Sequence, residues 1–252
     1  MIDIRLQENL ELMAEMQSNS VDLIYSDILF GTGRNFGDYQ DLKANETEIN
    51  TFYYPRIKEM YRILKPTGSI YLQMDTRINH WLRMILDKIF GYENFRNEIV
   101  WCYKNGGHSP IFNKKHDVIL FYTKTESFIF NKQYTPQNEK TKANHKIGLT
   151  GSRGVLNEKG VQLLDWWDDI TSATKFPSGH SNNLGYFSQK PINLLKRIIL
   201  ASSNENDLVA DFFAGSFTTA EVCKDLNRNF IGCDINPKGV NLGLIRCGFH
   251  CL

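Results

Sequence analysis

Two acids and a small-residue turn near the end of the chain carry its clearest chemistry. Residues 207–237 read DLVADFFAGSFTTAEVCKDLNRNFIGCDINP. Leu208-Val209-Ala210 is a short apolar strand, Ala214-Gly215-Ser216 a turn where the chain reverses tightly, residues 218–227 a helix, and residues 229–233 a second strand ending at Asp234. Such a unit can hold a nucleoside. The turn lets the backbone approach a ligand, the helix N-terminus offers N–H groups without intrahelical partners, and the acid closing the second strand can accept from ribose hydroxyls. The same pattern fits an ordinary buried strand-helix-strand unit, while a nicotinamide oxidoreductase requires a fuller glycine fingerprint than Gly215 alone.

Two other clusters accompany this unit. Ser188-Gln189-Lys190-Pro191 opens an amphipathic helix, and residues 21–26 form an apolar strand that delivers Asp27-Ile28-Leu29-Phe30 into a glycine-bearing loop. Around them, residues 2–6 read as a strand, 8–17 as a short amphipathic segment, and 46–64 as a helix stopped by Lys65-Pro66-Thr67-Gly68, a helix end with a tight turn. Residues 69–74 are a strand and 79–90 a helix with Trp81, Leu82, Ile85 and Ile89 toward one face. Residues 98–103 and 117–122 are two more strands flanking a glycine-rich, basic turn. The alternation implies an α/β fold with a doubly wound, mostly parallel sheet and helices on both faces.

At 252 residues the chain can bury a full core without staples, so one domain with an insertion is the economical organisation. The expected division is a catalytic half over 1–122, an inserted segment of little regular structure over 123–183, and a cofactor-binding half over 184–252. Net charge is only +1, but residues 104–159 hold ten Lys plus Arg against four Asp plus Glu. That segment is suited to a polyanion, or to a solvated lysine-rich loop. The five cysteines form no C-x-x-C pair, which argues for a reducing, cytoplasmic setting and against a structural zinc site. No apolar run reaches membrane-spanning length, and the first residues form no signal sequence.

In order and in kind, these clusters resemble the DNA amino-methyltransferases that modify adenine N6 or cytosine N4. Asp27-Ile28-Leu29-Phe30 stands where that family carries D-P-P-Y or D-P-P-F after a strand, Phe213-Ala214-Gly215-Ser216-Phe217-Thr218-Thr219 corresponds to F-x-G-x-G-T-T with Asp211 as the preceding acid, and Gln189-Lys190-Pro191 to Q-K-P. The catalytic motif precedes the cofactor motif, as in the permuted arrangement of restriction-modification methyltransferases. The likeness spans nearly the whole chain, with the middle least well matched. It implies S-adenosylmethionine as cofactor, double-stranded DNA as partner and a Rossmann-like methyltransferase fold. It also admits a cognate restriction endonuclease and a homodimer as partners.

Methyl transfer to an exocyclic amine is an in-line displacement that needs no metal and no covalent enzyme intermediate. Acceptors for both N–H bonds favour a tetrahedral nitrogen and aim its lone pair at the methyl carbon. The resemblance assigns the first acceptor to the Asp27 side chain, the second to the Ile28 carbonyl, and stacking on an extruded base to Phe30. The acid leans toward adenine N6, because cytosine N4 enzymes more often carry serine there, although Ser26 directly precedes it. For the cofactor it assigns Glu8, Asp27, Gln189, Lys190, Pro191, Asp211, Phe213, Ala214, Gly215, Ser216, Thr218, Asp234 and Asn236. Among these, Pro191 at a first helical position also has a purely structural reading. For DNA, the candidates are Lys104, Asn105, His108, Lys114, Lys115, Lys142, Lys146 and Arg153. The lysines suit phosphates, and Arg153, between Gly151 and Gly154, suits a bidentate contact with guanine. Phe36 and Tyr39 fit either loop anchors or base contacts, and Trp166-Trp167 an anchor returning the insertion to the core.

The sequence departs from the family pattern in three places. Ile28 and Leu29 replace two prolines, which removes the rigid backbone that presents the acceptor carbonyl. Phe217 replaces the second glycine of the cofactor turn, where a large side chain would crowd the ligand unless it points away. Phe212 stands where proline is common. These departures motivate the rival expectation of a DNA-binding pseudoenzyme that keeps the fold without the cofactor.

Overall fold

The computed structural model describes residues 1–35, 40–103, 108–137, 139, 142–143, 157–180, 183–186 and 189–249. Its main feature is an eight-stranded sheet in the order β1-β10-β9-β2-β3-β5-β4-β8. Strands β1 (Ile2–Leu6), β10 (Asn229–Asp234), β9 (Leu208–Asp211), β2 (Val21–Asp27) and β3 (Leu64–Met74) run parallel to their neighbours, whereas β5 (His116–Thr123) is antiparallel to both β3 and β4 (Phe95–Cys102). The sheet is thus mostly parallel and doubly wound.

Strand β2 is buried along all but its last residue, as an apolar run of that length requires when both faces are covered. Helices α1 (Asn9–Glu15), α2 (Glu46–Ile63) and α3 (Asn79–Phe90) supply Leu12, Met13, Ile49, Tyr53, Ile57, Leu82 and Leu86 to one core. Helices α4 (Ile192–Ser202), α5 (Thr218–Asp225) and α6 (Pro237–Cys247) supply Leu194, Ile198, Val222, Cys223 and Val240 to the other. Asn45 caps α2 by accepting from the Glu48 N–H at 2.9 Å, and Glu48 in turn accepts from the Asn45 side chain at 3.1 Å. This reciprocal arrangement fixes where the helix starts.

Two expectations need correction. Residues 65–68 are not a turn: β3 begins at Leu64, directly after α2, because Val21 pairs with Leu64 and the extra residues are absorbed by a register shift before Leu23 meets Ser69. The buried face of α3 is Leu82, Ile85, Leu86 and Phe90, with Trp81 and Ile89 only at its margin, because the helix packs under both α2 and β5.

Between β5 and α4 the described residues include the small pair β6 (Tyr134–Thr135) and β7 (Val161–Gln162), the strand β8 (Trp166–Trp167), a 3-10 turn at Ala173–Lys175, and helical backbone at Glu139, Lys142 and Ala143. Trp167 is buried and Trp166 exposed, and β8 adds to the sheet edge beside Val100 and Trp101. The two tryptophans therefore dock this segment by strand addition. No helix among the described residues is long and apolar enough to cross a membrane.

Candidate active site and cofactor cavity

The chain goes one way from β2, through α2 to β3, and the other way from β9, through α5 to β10, so the strand order reverses between β2 and β9. Ligands of open α/β sheets sit in the crevice outside the carboxyl ends at such a point. Here a cavity of about 670 Å³ opens at that place, lined by the residues after β2, β9 and β10 and by Glu8, Asn9, Phe52, Arg56, Tyr186 and Lys190. Its size lies within the usual range for small-molecule sites.

Of the sequence-derived cofactor residues, Glu8, Asp27, Lys190, Asp211, Phe213, Ala214, Gly215, Ser216, Thr218 and Asp234 line the cavity, and so do Ile28 and Phe30. Gln189, Pro191 and Asn236 stand behind it. The Gln189 side-chain amide oxygen accepts from the Leu184 N–H at 2.8 Å, Pro191 occupies the N-cap position of α4 without a side-chain capping bond, and the Asn236 side chain caps α6 through the Lys238 N–H at 3.0 Å. Glu8 caps α1 by accepting from the Leu10 N–H at 2.6 Å and also takes the Arg56 guanidinium at 2.5 Å.

Three carboxylates sit at three strand ends. Asp234 accepts from the Gly215 N–H at 2.8 Å and from the Asn236 N–H at 2.8 Å, which fixes the acid to the turn it faces. Gly215 holds a left-handed φ of 52°, a conformation that a side chain would strain. Burial raises the Asp234 pKa, and the backbone N–H bonds pull it back. Asp211 accepts from the Thr219 hydroxyl at 2.7 Å and the Phe213 N–H at 3.1 Å, yet burial outweighs both and pushes it up to about 7.

Asp27 ends β2 opposite Gln73. One carboxylate oxygen is ion-paired with Lys190, which arrives from the start of α4, while Oδ1 is buried and finds no hydrogen-bond partner among the described residues. Burial raises this acid to about 6, with Lys190 lowering it and nearby Asp117 raising it again. The Lys190 ammonium also lies 5.4 Å from the Phe30 ring centre.

The segment that lacks the two prolines is held by hydrogen bonds, one of them from an N–H that a proline would not have. The Ile28 N–H donates to the Gln73 carbonyl at 3.1 Å, and the Tyr53 hydroxyl donates to the Leu29 carbonyl at 2.9 Å, so the segment after Asp27 is held at both ends. Phe217 is fully buried and packs edge-on to Phe230 at 6.3 Å on the sheet's far side, outside the cavity. Space for it comes from Gly243 on α6, where an added Cβ would lie 2.6 Å from the Phe217 side chain. Phe212 is buried too, donating its N–H to Ser26 at 3.2 Å.

Residues 21–244 match the sequence profile of the DNA methylase family of N6 and N4 type. The chain belongs to that family. It is 32% identical over 237 residues to the type II methyltransferase M.HpaI of Haemophilus parainfluenzae, covering 92% of this chain and 70% of that protein. It is also 32% identical over 242 residues to the DNA adenine methyltransferase YhdJ of Escherichia coli K12, covering 93% of this chain and 78% of the relative. In fold it is similar to the cytosine-N4-specific PvuII DNA methyltransferase, with a TM-score of 0.69 at 17% identity over 97% of this chain and 86% of the other. Another fold match is the M1.HpyAVI complex with SAM, with a TM-score of 0.66 at 20% identity over 99% and 100%.

This methylase accordingly uses S-adenosylmethionine, and the cavity fits that molecule. A carboxylate offers about four lone-pair sites, and the backbone N–H groups that Asp234 accepts from leave capacity for a ribose hydroxyl. Ile235, 60% exposed, is an apolar platform beside it. Several residues that build the site escaped the sequence analysis: Arg56, Phe52, Tyr53, Gln73, Asp117 and Tyr186. Arg56 lies over the Phe52 ring at 3.7 Å and donates to Asn9 at 2.8 Å, and nothing in the spacing of α2 marks it for that task. His108 and Lys114 are exposed on the β4–β5 connection, Lys115 is half-buried there, and Lys142 is exposed and paired with Glu139 at 2.8 Å. Lys104, Asn105, Lys146, Arg153, Phe36 and Tyr39 lie outside the described residues.

Proposed function

We propose that this methylase transfers a methyl group to adenine N6 of an extruded base in a specific duplex DNA sequence. The observation that carries this reading is that Asp27, which lines the cavity, holds a buried Oδ1 with no hydrogen-bond partner among the described residues. A buried acceptor left open is costly unless a ligand fills it. An exocyclic amine supplies the missing N–H, and the Ile28 carbonyl beside it takes the second one, so the nitrogen lone pair is turned toward the cavity. Phe30 provides a stacking face for the base. S-adenosylmethionine, when bound, supplies the electrophilic methyl group.

At the other end of the site, Asp234 takes the ribose hydroxyls and Asp211 balances the positive charge of the methionine portion, with Phe213 to Ser216 as the backbone cradle. The division into a catalytic part over 1–122, a target-recognition part over 123–183 and a cofactor part over 184–252 follows the same reading. Burial of Phe217 away from the cavity supports an active enzyme over a pseudoenzyme. The aspartate at position 27 and the 32% identity to a protein named as an adenine methyltransferase support adenine over cytosine. By analogy with the type II relatives, a cognate restriction endonuclease and a homodimer are the partners to seek.

The test is transfer of tritiated methyl from S-adenosylmethionine to unmodified genomic DNA, followed by nucleoside analysis and modification-sensitive sequencing of the product. N6-methyladenine at one recurring sequence is expected, with Asp27→Ala abolishing it. N4-methylcytosine overturns the choice of base, and cofactor binding without transfer to any DNA overturns the reaction.

A further inference from the structure

The β4–β5 hairpin carries a feature that the cavity does not use. Cys102 pairs with His116, and Val118 with Met74 at the end of β3, so this hairpin projects beyond the same sheet edge that holds Asp27. On its outer part Ile111 and Phe112 are 71% and 98% exposed. Two adjacent large apolar side chains in water need a partner to repay their exposure. Lysines flank them in the chain: Lys114 is exposed and Lys115 half-buried, with the exposed His108 on the same connection.

The hairpin root is tied to the catalytic loop. The Tyr103 N–H donates to the Lys115 carbonyl at 3.0 Å, and the Tyr103 hydroxyl to Asp117 at 3.1 Å. Asp117 also accepts from the Gln73 side chain at 2.8 Å, and Gln73 accepts from the Tyr25 hydroxyl at 2.8 Å. The same Gln73 takes the Ile28 N–H through its backbone carbonyl. A continuous hydrogen-bonded chain therefore runs from the hairpin to the peptide that follows Asp27, and fixes the position of one against the other.

We propose that Phe112 is a wedge that enters the base stack of duplex DNA and fills the place vacated by the target base, with Ile111 packing beside it. This inference rests on the methyltransferase reading above. The occupant is DNA because the apolar tip is framed by lysines suited to phosphates, and an apolar side chain between base steps offsets the unstacking that extrusion demands. Reach is sufficient: Phe112 lies three residues beyond the paired Lys115, or about 10 Å in extended chain, comparable with the depth of a groove.

The experiment compares two duplexes carrying the sequenced target site, one with the target base normally paired and one with it opposite an abasic position, where extrusion is nearly free. Phe112→Ala is expected to lower kcat/KM on the paired duplex by about tenfold or more, and on the abasic-opposed duplex by less than about threefold. Phe112→Trp should retain both activities. A fluorescent base analogue at the target position reads extrusion without any methyl transfer. Its signal should rise when wild type binds and stay low with Phe112→Ala at saturating protein. Equal losses on the two duplexes, no loss on either, or undiminished fluorescence with the alanine variant overturns the wedge while leaving the reaction intact. Absence of transfer by wild type to both duplexes instead removes the methyltransferase reading itself.

Discussion

Lys190 illustrates how a residue's task depends on what the fold sets against it. Its place in Gln189-Lys190-Pro191 points to the cofactor, but its ammonium meets Asp27, 163 residues away in sequence. An amine acceptor must be ionised, and burial raises Asp27 to about 6, so the proton returns and the acceptor is lost as pH falls through that value. Lys190 opposes the burial. Removing it in Lys190→Met is expected to move the acid limb of the kcat profile upward and to cut kcat about tenfold or more at pH 6.5, with a smaller loss at pH 8.5. Lys190→Arg should restore the wild-type limb. For stability the sign is opposite: the native state holds this proton more tightly than the unfolded chain, so Asp27 favours folding below its ordinary pKa and ceases to as pH rises through about 6. An unchanged acid limb in Lys190→Met would show that the ion pair does not govern the acceptor. At this scale the three acids were legible because each closes an apolar strand, whereas the Asp27 and Lys190 contact was not, since no local pattern encodes a meeting of β2 with α4.

Elements explain why the departures from the family pattern are tolerated. Phe217 in the cofactor turn raised the expectation of a blocked site, and its own sequence context gave no means of deciding. The answer lies in α6, whose Gly243 leaves room for the ring on the side of the sheet away from the cavity. Gly243→Ala should raise helix propensity by about 1 kcal/mol, yet the new Cβ would overlap the inner atoms of the Phe217 ring, which are not free to swing aside. The packing penalty, about 1–3 kcal/mol, is expected to win. Urea denaturation should show Gly243→Ala destabilised, and the double variant Phe217→Gly with Gly243→Ala less destabilised than the two single changes added together, because glycine removes the side-chain atoms that the new Cβ would meet. Strict additivity would mean that the two residues do not share this space. The alternation of strands and helices was readable from hydrophobic periodicity alone. The start of β3 was not, because Lys65-Pro66-Thr67-Gly68 has turn chemistry and only pairing with β2 draws it into the sheet.

Across the whole molecule, charge is nearly balanced, and the +1 total conceals its arrangement. The sheet gathers its cavity, Asp27 and the basic β4–β5 hairpin at one end, so a polyanion attracted to the hairpin arrives beside the cavity. Two lysines of the basic segment differ in kind: Lys114 stands on that hairpin, while Lys142 is exposed and paired with Glu139 at 2.8 Å. A cation on a phosphate releases counterions, so its removal weakens binding to every duplex by a similar factor and flattens the salt dependence. Lys114→Ala is expected to reduce the slope of log K against log salt by about 0.9, equally on target and non-target duplexes, with recurring-site choice unchanged. Lys142→Ala should alter the slope less, because its partner already neutralises it. Fluorescence anisotropy titrations from 50 to about 200 mM salt resolve this difference. If the two variants change the slope equally, the duplex extends over the inserted segment as well as the hairpin. If neither does, the duplex approaches the cavity from another side, and the edge shared by Asp27 and the hairpin is not the face that meets DNA.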